Sequence, residues 1–277
     1  MHGKRQIQNS IFGIGWSPAN ATLAIMLTLL FLIFLILFLT LTAQPAQAQT
    51  YRVIYNFTSG WDGAAPYAGV ALDRGGHLYG TDNVGSISHG AAYKLTNRNG
   101  IWGSAALHDF TGDNDGAYPV ARAIIAPDGT LYGATPEGGN TGCSGRGCGT
   151  VFHLQPPSRA CATALCSWTE TILYRFSEGS DGCVPYGDLM LDQAGNIYGA
   201  ASDYNGVLAS GYGQVFKMAP SGGGWTYTVL YTFAGGSDGA YPLSSLIFEN
   251  AGNLYGTTKE GGDLTCNLPM VAERFTS

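Results

Sequence analysis

Apolar and polar residues alternate along short segments of this chain, and turn residues separate the segments. In the segment Trp168–Phe176, for example, Trp168 and Ile172 fall on one face while Thr171 and Leu173 fall on the other. Alternation with a period of two is typical of a β-strand buried on one face. Asp-Gly and Gly-Asn pairs, which form tight hairpin turns, lie between such segments. The pattern predicts an all-β fold beyond the N-terminal region.

One spacing recurs four times along the chain. A Phe lies five residues before an Asp-Gly pair, a Pro follows the Asp by four residues, and a Tyr-Gly pair follows it by seventeen. The repeated aspartates are Asp62, Asp115, Asp181 and Asp238, and the repeated tyrosines are Tyr79, Tyr132, Tyr198 and Tyr255. A fixed unit separated by variable inserts predicts tandem repeats that bury their faces against their neighbours.

Each repeat contains four short strand patterns. In the second repeat these are Val120–Ala126, Thr130–Thr135, Thr150–Leu154 and Trp168–Phe176. Units of this size and strand number predict a β-propeller built from four tandem four-stranded repeats, near residues 51–100, 101–166, 167–223 and 224–277. Tyr51–Phe57 matches the fourth strand of a repeat, so we expect it to complete the last sheet and close the ring. An incomplete ring is the alternative.

The repeat pattern is lost after Gly262. One explanation is that Met270–Phe275 forms a degenerate third strand. The other is that the chain is truncated or frame-shifted after about Cys266. Both explanations remain open at the level of sequence.

The phrases LYTFAGGSDGAYP, GNLYGTT and GTVF resemble the GloVer tandem repeat of exported bacterial proteins. The resemblance covers about Tyr51 to Gly262. It implies a β-propeller-like protein that is secreted or held at the cell surface, in a family defined by its repeat and without an assigned activity. This chain has no recognisable C-terminal anchor of the kind that such proteins carry.

Residues 1–48 have the features of a targeting segment. Lys4 and Arg5 precede an apolar run from about Ala21 to Leu41, and Ala46-Gln47-Ala48 fits the small-x-small rule for signal-peptide cleavage. The run is also long enough to be an uncleaved membrane anchor. Either interpretation places residues 49–277 outside the cytoplasm, as a secreted, periplasmic or cell-surface domain whose membrane contact is confined to the N-terminal segment.

The expected export bears on the chemical state of the cysteines in the longest insert. Cys143 and Cys148 are five residues apart, as are Cys161 and Cys166. In an oxidising compartment we expect local disulfides that pin this insert. A zinc site made of the four cysteines is the alternative, although their spacing is not the usual two-residue gap.

The net charge of −6 and the 12% of charged residues exclude one class of partner. Nucleic acid requires a basic surface that displaces counterions, and no Lys/Arg cluster occurs beyond Lys4 and Arg5.

The repeated Asp-Gly pairs have two interpretations. They form turns in which the Asp bonds the backbone and the Gly adopts a positive φ, or they bind calcium through oxygen ligands. Only Asp113-Asn114-Asp115-Gly116 carries a second acid, so Asp113 and Asp115 are the candidate calcium ligands, and no other cofactor is expected. Trp61 lies outside the repeat pattern beside Asp62, which makes this pair a candidate ligand surface.

The repeated Tyr-Gly pairs predict packing positions, where a glycine allows adjacent sheets to approach closely. The histidines share no motif, and no nucleophile elbow is present. We therefore predict a non-catalytic exported scaffold that binds carbohydrate or protein outside the cell. The alternative is an exported glycan-acting enzyme, a hydrolase or lyase with paired carboxylates at the ring centre.

Overall fold

The computed structural model describes residues 18–42, 50–60, 62–84, 89–157, 168–177, 179–202, 211–249, 252–262 and 271–275. The chain divides into two compact units, Met1–Arg52 and Val53–Ser277. The first contains the helix α1 (Pro18–Thr42). Within the described ranges, no helix has both the length and the apolar character needed to cross a membrane.

The second unit consists of four antiparallel sheets in chain order. The first sheet holds β1 (Ala71–Leu72), β2 (Leu78–Asp82), β3 (Ala91–Arg98) and β4 (Ile101–Asp109). The second holds β5 (Ile124–Ile125), β6 (Leu131–Thr135), β7 (Thr150–Gln155) and β8 (Thr169–Arg175). The third holds β9 (Met190–Leu191), β10 (Ile197–Ala201), β11 (Gln214–Ser221) and β12 (Gly224–Thr232). After the 3-10 turn Gly236–Asp238, the fourth holds β13 (Ile247–Phe248), β14 (Leu254–Thr258) and β15 (Val271–Phe275).

Within each sheet the strands lie side by side in the order in which they occur in the sequence. Consecutive sheets also contact each other, β1 against β5 and β8 against β12. Up-and-down sheets that pack face to face in succession are the blades of a β-propeller, so the predicted all-β propeller fold is confirmed.

An aromatic contact over a glycine joins the first three sheets to the element before them. Phe110, which follows β4, packs against Phe152 of β7 with ring centroids 5.1 Å apart. The Phe152 ring lies across Gly133, its partner in β6, where an added Cβ would be 2.5 Å from the ring. Both phenylalanines are fully buried. The glycine of the Tyr-Gly pair is thus required by a close approach between neighbouring strands of one sheet, rather than between two sheets as the sequence suggested.

The same arrangement occurs at two further places. The ring of Phe176 contacts that of Phe216 at 5.5 Å, and an added Cβ on Gly199 would lie 2.6 Å from Phe216. The corresponding trio before the first sheet is Phe57, Tyr93 and Gly80, with ring centroids 5.0 Å apart.

The first strand of each sheet is shorter than predicted. In the second sheet the predicted strand Val120–Ala126 is reduced to Ile124–Ile125. The backbone before it is bonded to neighbouring sheets: Thr81 Oγ1 donates to the Ala121 carbonyl at 2.8 Å, and the Arg122 amide donates to Asp188 Oδ1 at 2.7 Å. These groups are therefore not available for pairing within their own sheet.

Tyr51–Phe57 does not form the strand that the repeat pattern predicts, and the fourth sheet has three strands among the described residues. Tyr51 and Val53 are exposed, and no described strand pairs with this segment. Side-chain contacts hold it instead, from Phe57 to Tyr93 and from Tyr55 to Asp62. Of the two explanations for the final residues, the third strand matches the backbone, since β15 pairs antiparallel with β14.

The insert between β6 and β7 is pinned by a disulfide between Cys143 and Cys148, whose Cα atoms are 5.1 Å apart. Both cysteines are fully buried in a cluster with Val151, Phe176 and Cys183. This pairing confirms one of the predicted local disulfides. The alternative zinc site would need these two cysteines as thiolates, which they are not in this pairing. Cys161 and Cys166 lie outside the described residues.

Replacing Cys143 and Cys148 together with alanine should lower the free energy of unfolding. Opening a short loop of this kind costs about 2 kcal/mol through the entropy of the unfolded chain. Denaturant unfolding of the variant and of the original chain measures the difference. Added reductant should destabilise the original chain more than the variant, and equal stabilities without reductant would contradict the role assigned to this disulfide.

Candidate functional site

The turn before each sheet is organised by the repeated aspartate, and we name each turn by it, for example the Asp115 junction. The carboxylate accepts the backbone N–H of the residue four positions earlier. The donor–acceptor pairs are Thr58–Asp62 (3.0 Å), Thr111–Asp115 (2.9 Å), Ser177–Asp181 (3.0 Å) and Ala234–Asp238 (2.7 Å). The hydroxyl groups of the Thr and Ser residues donate to the same carboxylates. This geometry is that of a backbone-capping turn.

A second contact reaches each aspartate from the residue seven positions earlier. The hydroxyl groups of Tyr55, Tyr174 and Tyr231 donate to Asp62, Asp181 and Asp238. At Asp62 the Thr58 hydroxyl lowers the carboxyl pKa most, burial opposes this, and Tyr55 lowers the pKa further. Asp62 is itself buried, at 4% exposure, while its neighbour Trp61 lies outside the described residues.

The Asp115 junction departs from this pattern because His108 replaces the tyrosine. His108 Nε2 lies 3.3 Å from Asp115 Oδ2 and 3.6 Å from Glu170 Oε1, which comes from β8 of the second sheet. All three side chains are largely buried. Among the described residues they form a group whose ligand atoms lie within 4.8 Å of one another.

The environment of this group shifts two of its pKa values. Burial, reinforced by the charge of Asp115, raises the pKa of Glu170 to about 8, while Arg175 acts in the opposite direction. Burial also lowers the pKa of His108, against the effect of Asp115. Near neutral pH the histidine is therefore neutral and the Glu170 carboxyl holds a proton.

The predicted calcium ligands do not act together in this group. Asp113 is exposed, and its backbone carbonyl accepts the Gly139 amide at 2.6 Å. Asp115 instead faces His108 and Glu170, and a histidine is not a ligand that calcium prefers. Calcium binding at Asp113 and Asp115 stays a prediction.

Asp82, at the end of β2, is a second departure from the repeat. The corresponding residues are Thr135, Ala201 and Thr258. Asp82 is 1% exposed, and neither carboxylate oxygen makes a well-formed hydrogen bond with a described residue. Burial raises its pKa to about 7; the amide of Ala91 opposes the shift, whereas the charges of Asp109 and Asp62 add to it.

The repeated tyrosines belong to the packed framework. Tyr79 and Tyr198 are buried, whereas Tyr132 and Tyr255 are partly buried. Three of the hydroxyl groups donate to an acid in the preceding turn, in the pairs Tyr79–Asp73 (3.1 Å), Tyr198–Asp192 (3.2 Å) and Tyr255–Glu249 (2.9 Å). These bonds tie the second strand to the turn that leads into it.

A cleft of about 600 Å³ lies between the first and second sheets. Trp168 and Tyr79 form its aromatic wall, with ring centroids 6.0 Å apart. Lys94 Nζ lies 5.3 Å from the centre of the Tyr79 ring, within the range of a cation–π contact. Trp168 is partly exposed, so one of its surfaces is available to a ligand.

The turns at the mouth of this cleft supply the remaining polar groups, Asp73, Arg74 and Asp128. Burial alone would raise the pKa of Asp73, but hydrogen bonds from His77 and Tyr79 outweigh it and lower the pKa. Asp73 is thus an ionised acceptor at neutral pH. Two acids and two bases line the cleft, so their charges balance.

Sequence reasoning did not identify Trp168, Lys94, His108 or Glu170 as site residues. A signal was present for His108, which stands where the other repeats have tyrosine. Glu170 also stands alone at its position, where the first and third sheets have Ser104 and Tyr227. Nothing in the sequence places Trp168 beside Tyr79, because that contact joins two different repeats.

A family model described as the Gloeobacter/Verrucomicrobia repeat matches residues 40–267. This match confirms the resemblance drawn from the repeat phrases. No match was found among curated proteins.

Solved structures similar to the chain include a luciferin-regenerating enzyme (14% identity, TM-score 0.43), which aligns over 76% of this chain and 60% of its own. A protein of unknown function from Dyadobacter fermentans has 14% identity and a TM-score of 0.43, with 72% of this chain and 62% of its own covered. The intramolecular trans-sialidase from Ruminococcus gnavus has 15% identity and a TM-score of 0.40, with 77% of this chain and 42% of its own covered. The chain thus spans less than two thirds of each of these structures.

Asp62→Asn should destabilise the fold at neutral pH by about 1–3 kcal/mol, because an amide cannot accept all the bonds from Thr58 and Tyr55. The folded-state pKa of Asp62 is lowered, so its contribution is present above the unfolded pKa of about 3.9 and is lost as the pH falls through the folded value. Denaturant unfolding at pH 7 and pH 3 checks both statements. Asp113→Asn, an exposed change nearby, should stay within about 0.5 kcal/mol of the original chain.

The variant Asp82→Thr, which copies the residue found in two other repeats, should be more stable than the original chain, by a margin that grows as the pH rises. The raised pKa means that the folded state holds a proton that the unfolded chain releases above about pH 3.9, so stability is lost between about pH 4 and 7. The advantage of the variant should grow across this interval by up to about 4 kcal/mol. Unfolding curves at pH 5 and pH 8 measure it. An advantage independent of pH would show that Asp82 is ionised in the folded state.

Proposed function

Because the chain belongs to the Gloeobacter/Verrucomicrobia repeat family, we propose that it is an exported, non-catalytic scaffold whose repeat domain binds carbohydrate outside the cell. The observation that carries the proposal is the cleft between the first and second sheets. Its volume of about 600 Å³ falls in the range of small-ligand sites in proteins.

The aromatic wall of the cleft suits a sugar ring. A pyranose presents a face of C–H groups that packs on an aromatic surface, while its hydroxyl groups point to the sides. Trp168 offers such a surface, and the Tyr79 ring lies beside it in the wall of the cleft.

The polar groups around that surface suit hydroxyl groups. Asp73 and Asp128 accept hydrogen bonds, whereas Arg74 and Lys94 donate them. Because the charges balance, the cleft favours a neutral, hydroxyl-rich ligand over a strongly anionic one. The lowered pKa of Asp73 makes it an ionised hydrogen-bond acceptor and not a general acid, which must hold a proton at the working pH.

Export is supported by two features. The apolar segment and the Ala46-Gln47-Ala48 sequence have the form of a secretion signal. The disulfide between Cys143 and Cys148 is of a kind that persists in oxidising compartments.

The purified chain should bind at least one member of a panel of soluble neutral polysaccharides, measured by isothermal titration calorimetry. Lys94→Gln removes a charged donor from the cleft and should weaken this binding about tenfold or more. Lys217→Gln is the matched control, since Lys217 Nζ lies 5.5 Å from the Tyr198 ring in the equivalent position of the third sheet. It should leave the affinity unchanged.

Trp168→Phe tests the stacking surface in the same way, with Trp225→Phe as its counterpart in the next sheet. Trp225 packs against Tyr132 at 6.3 Å much as Trp168 packs against Tyr79, so both variants lose similar packing. Only the first should lose affinity. Equal losses in both variants, or binding of proteins alone, would contradict the carbohydrate site. Release of sugars during the incubation would favour the alternative, a glycan-acting enzyme.

A further inference from the structure

The Asp115 junction differs from the two junctions on either side of it in a pair of side chains. At the Asp181 junction the equivalent pair is Tyr174 and Tyr227, whose rings stack at 4.3 Å. The Tyr227 hydroxyl donates to the Asp181 carbonyl at 2.8 Å, so the pair closes the junction with satisfied polar groups. At the Asp62 junction the pair is Tyr55 and Ser104.

At the Asp115 junction the same two positions hold His108 and Glu170. The two side chains come from different sheets, His108 from β4 and Glu170 from β8. They cannot stack, and they add one imidazole nitrogen and one carboxylate to the carboxylate of Asp115. Imidazole nitrogen and carboxylate oxygen occur together as ligands in zinc sites.

The two distances from His108 suit a common ion, and all three ligand atoms lie within 4.8 Å of one another. Zinc binds histidine nitrogen and carboxylate oxygen at about 2.0–2.2 Å, which places neighbouring ligand atoms of a tetrahedral site about 3.3 Å apart. His108 Nε2 lies 3.3 Å from Asp115 Oδ2 and 3.6 Å from Glu170 Oε1.

Two of the ligand atoms lack a well-formed hydrogen bond. His108 Nε2 and Glu170 Oε1 are buried and make no such bond within the described part of the chain. A buried polar atom without a partner costs about 1–3 kcal/mol, so an ion that contacts both atoms would remove this cost.

We propose that His108, Asp115 and Glu170 bind a zinc ion, with a fourth coordination position left for water. The backbone N–H and hydroxyl of Thr111 donate to the Asp115 carboxylate at 2.9 and 2.5 Å and fix its orientation, as hydrogen bonds to the ligands of zinc sites do. Calcium is a poorer occupant, because it takes six or more oxygen ligands.

The surrounding charges permit this occupancy. Asp109 adds negative charge on the side of His108, whereas Arg175 lies on the side of Glu170 with its Nε bonded to the Asn114 carbonyl at 3.1 Å. Zinc binding requires the unprotonated forms of the histidine and of both carboxyl groups, so the affinity should fall at low pH.

Calorimetric titration of the metal-free chain with ZnCl₂ tests the proposal. One ion should bind per chain at pH 7. His108→Tyr copies the tyrosine of the other junctions, so it should fold while weakening zinc binding by about 100-fold or more. Glu170→Gln, a near-isosteric change, should do the same.

His77→Asn is the matched control. His77 also faces a carboxylate, with its Nδ1 3.0 Å from Asp73 Oδ2, and asparagine occupies its position at Asn196 and Asn253 in other repeats. It should bind zinc as the original chain does. The proposal is overturned if the original chain binds no zinc, if either site variant binds it with unchanged affinity, or if His77→Asn loses as much affinity as His108→Tyr.

Discussion

The fold depends on a single kind of contact, an aromatic ring that lies across a glycine and is covered by a phenylalanine from the preceding element. At the Asp115 junction these residues are Phe152, Gly133 and Phe110. The glycine lets the ring lie flat on its own sheet, and the second phenylalanine then buries it completely. The two rings bury a large apolar area at this one contact, and this burial fixes the spacing between consecutive sheets.

The aspartate turns serve this contact. By accepting the amide and hydroxyl groups four residues back, Asp115 and its counterparts hold the phenylalanine in place and direct the chain into the next sheet. The junctions of a repeat protein can therefore be compared with one another, because the side chains that recur at equivalent positions are the ones that the framework requires. His108, Glu170 and Asp82 differ from the residues at the equivalent positions of the other repeats, so the requirements of the framework do not explain them.

The sequence predicted the fold class and most strand positions because turn chemistry and alternation are local. In the second repeat the predicted third strand Thr150–Leu154 lies within the observed Thr150–Gln155. The first strands were predicted to be longer than they are, and Tyr51–Phe57 was predicted to be a strand. Both predictions failed because strand formation also depends on where the backbone finds hydrogen-bond partners. That information lies in neighbouring sheets, as the bonds to Ala121 and Arg122 show.

The candidate sites were largely beyond prediction for a related reason. The cleft joins Tyr79 to Trp168, and the proposed zinc site joins His108 to Glu170, so each is formed by side chains of two repeats. An anomalous residue can be recognised in an alignment of the repeats, but its partner becomes visible only when the sheets are packed together.

The hydrogen bonds between neighbouring sheets limit which segments can be exchanged between chains of this kind. Thr81 supports Ala121 in the next sheet, and Asp188 supports the amide of Arg122 in the sheet before its own. A chimera that exchanged one whole sheet would separate these pairs at both of its borders. Crossovers placed in the variable inserts, such as the Cys143–Cys148 loop, would separate the same pairs, because Thr81 precedes the insert after β2 and Asp188 follows the insert after β6. A transplanted segment that keeps both bonds must therefore extend from Thr81 to Asp188.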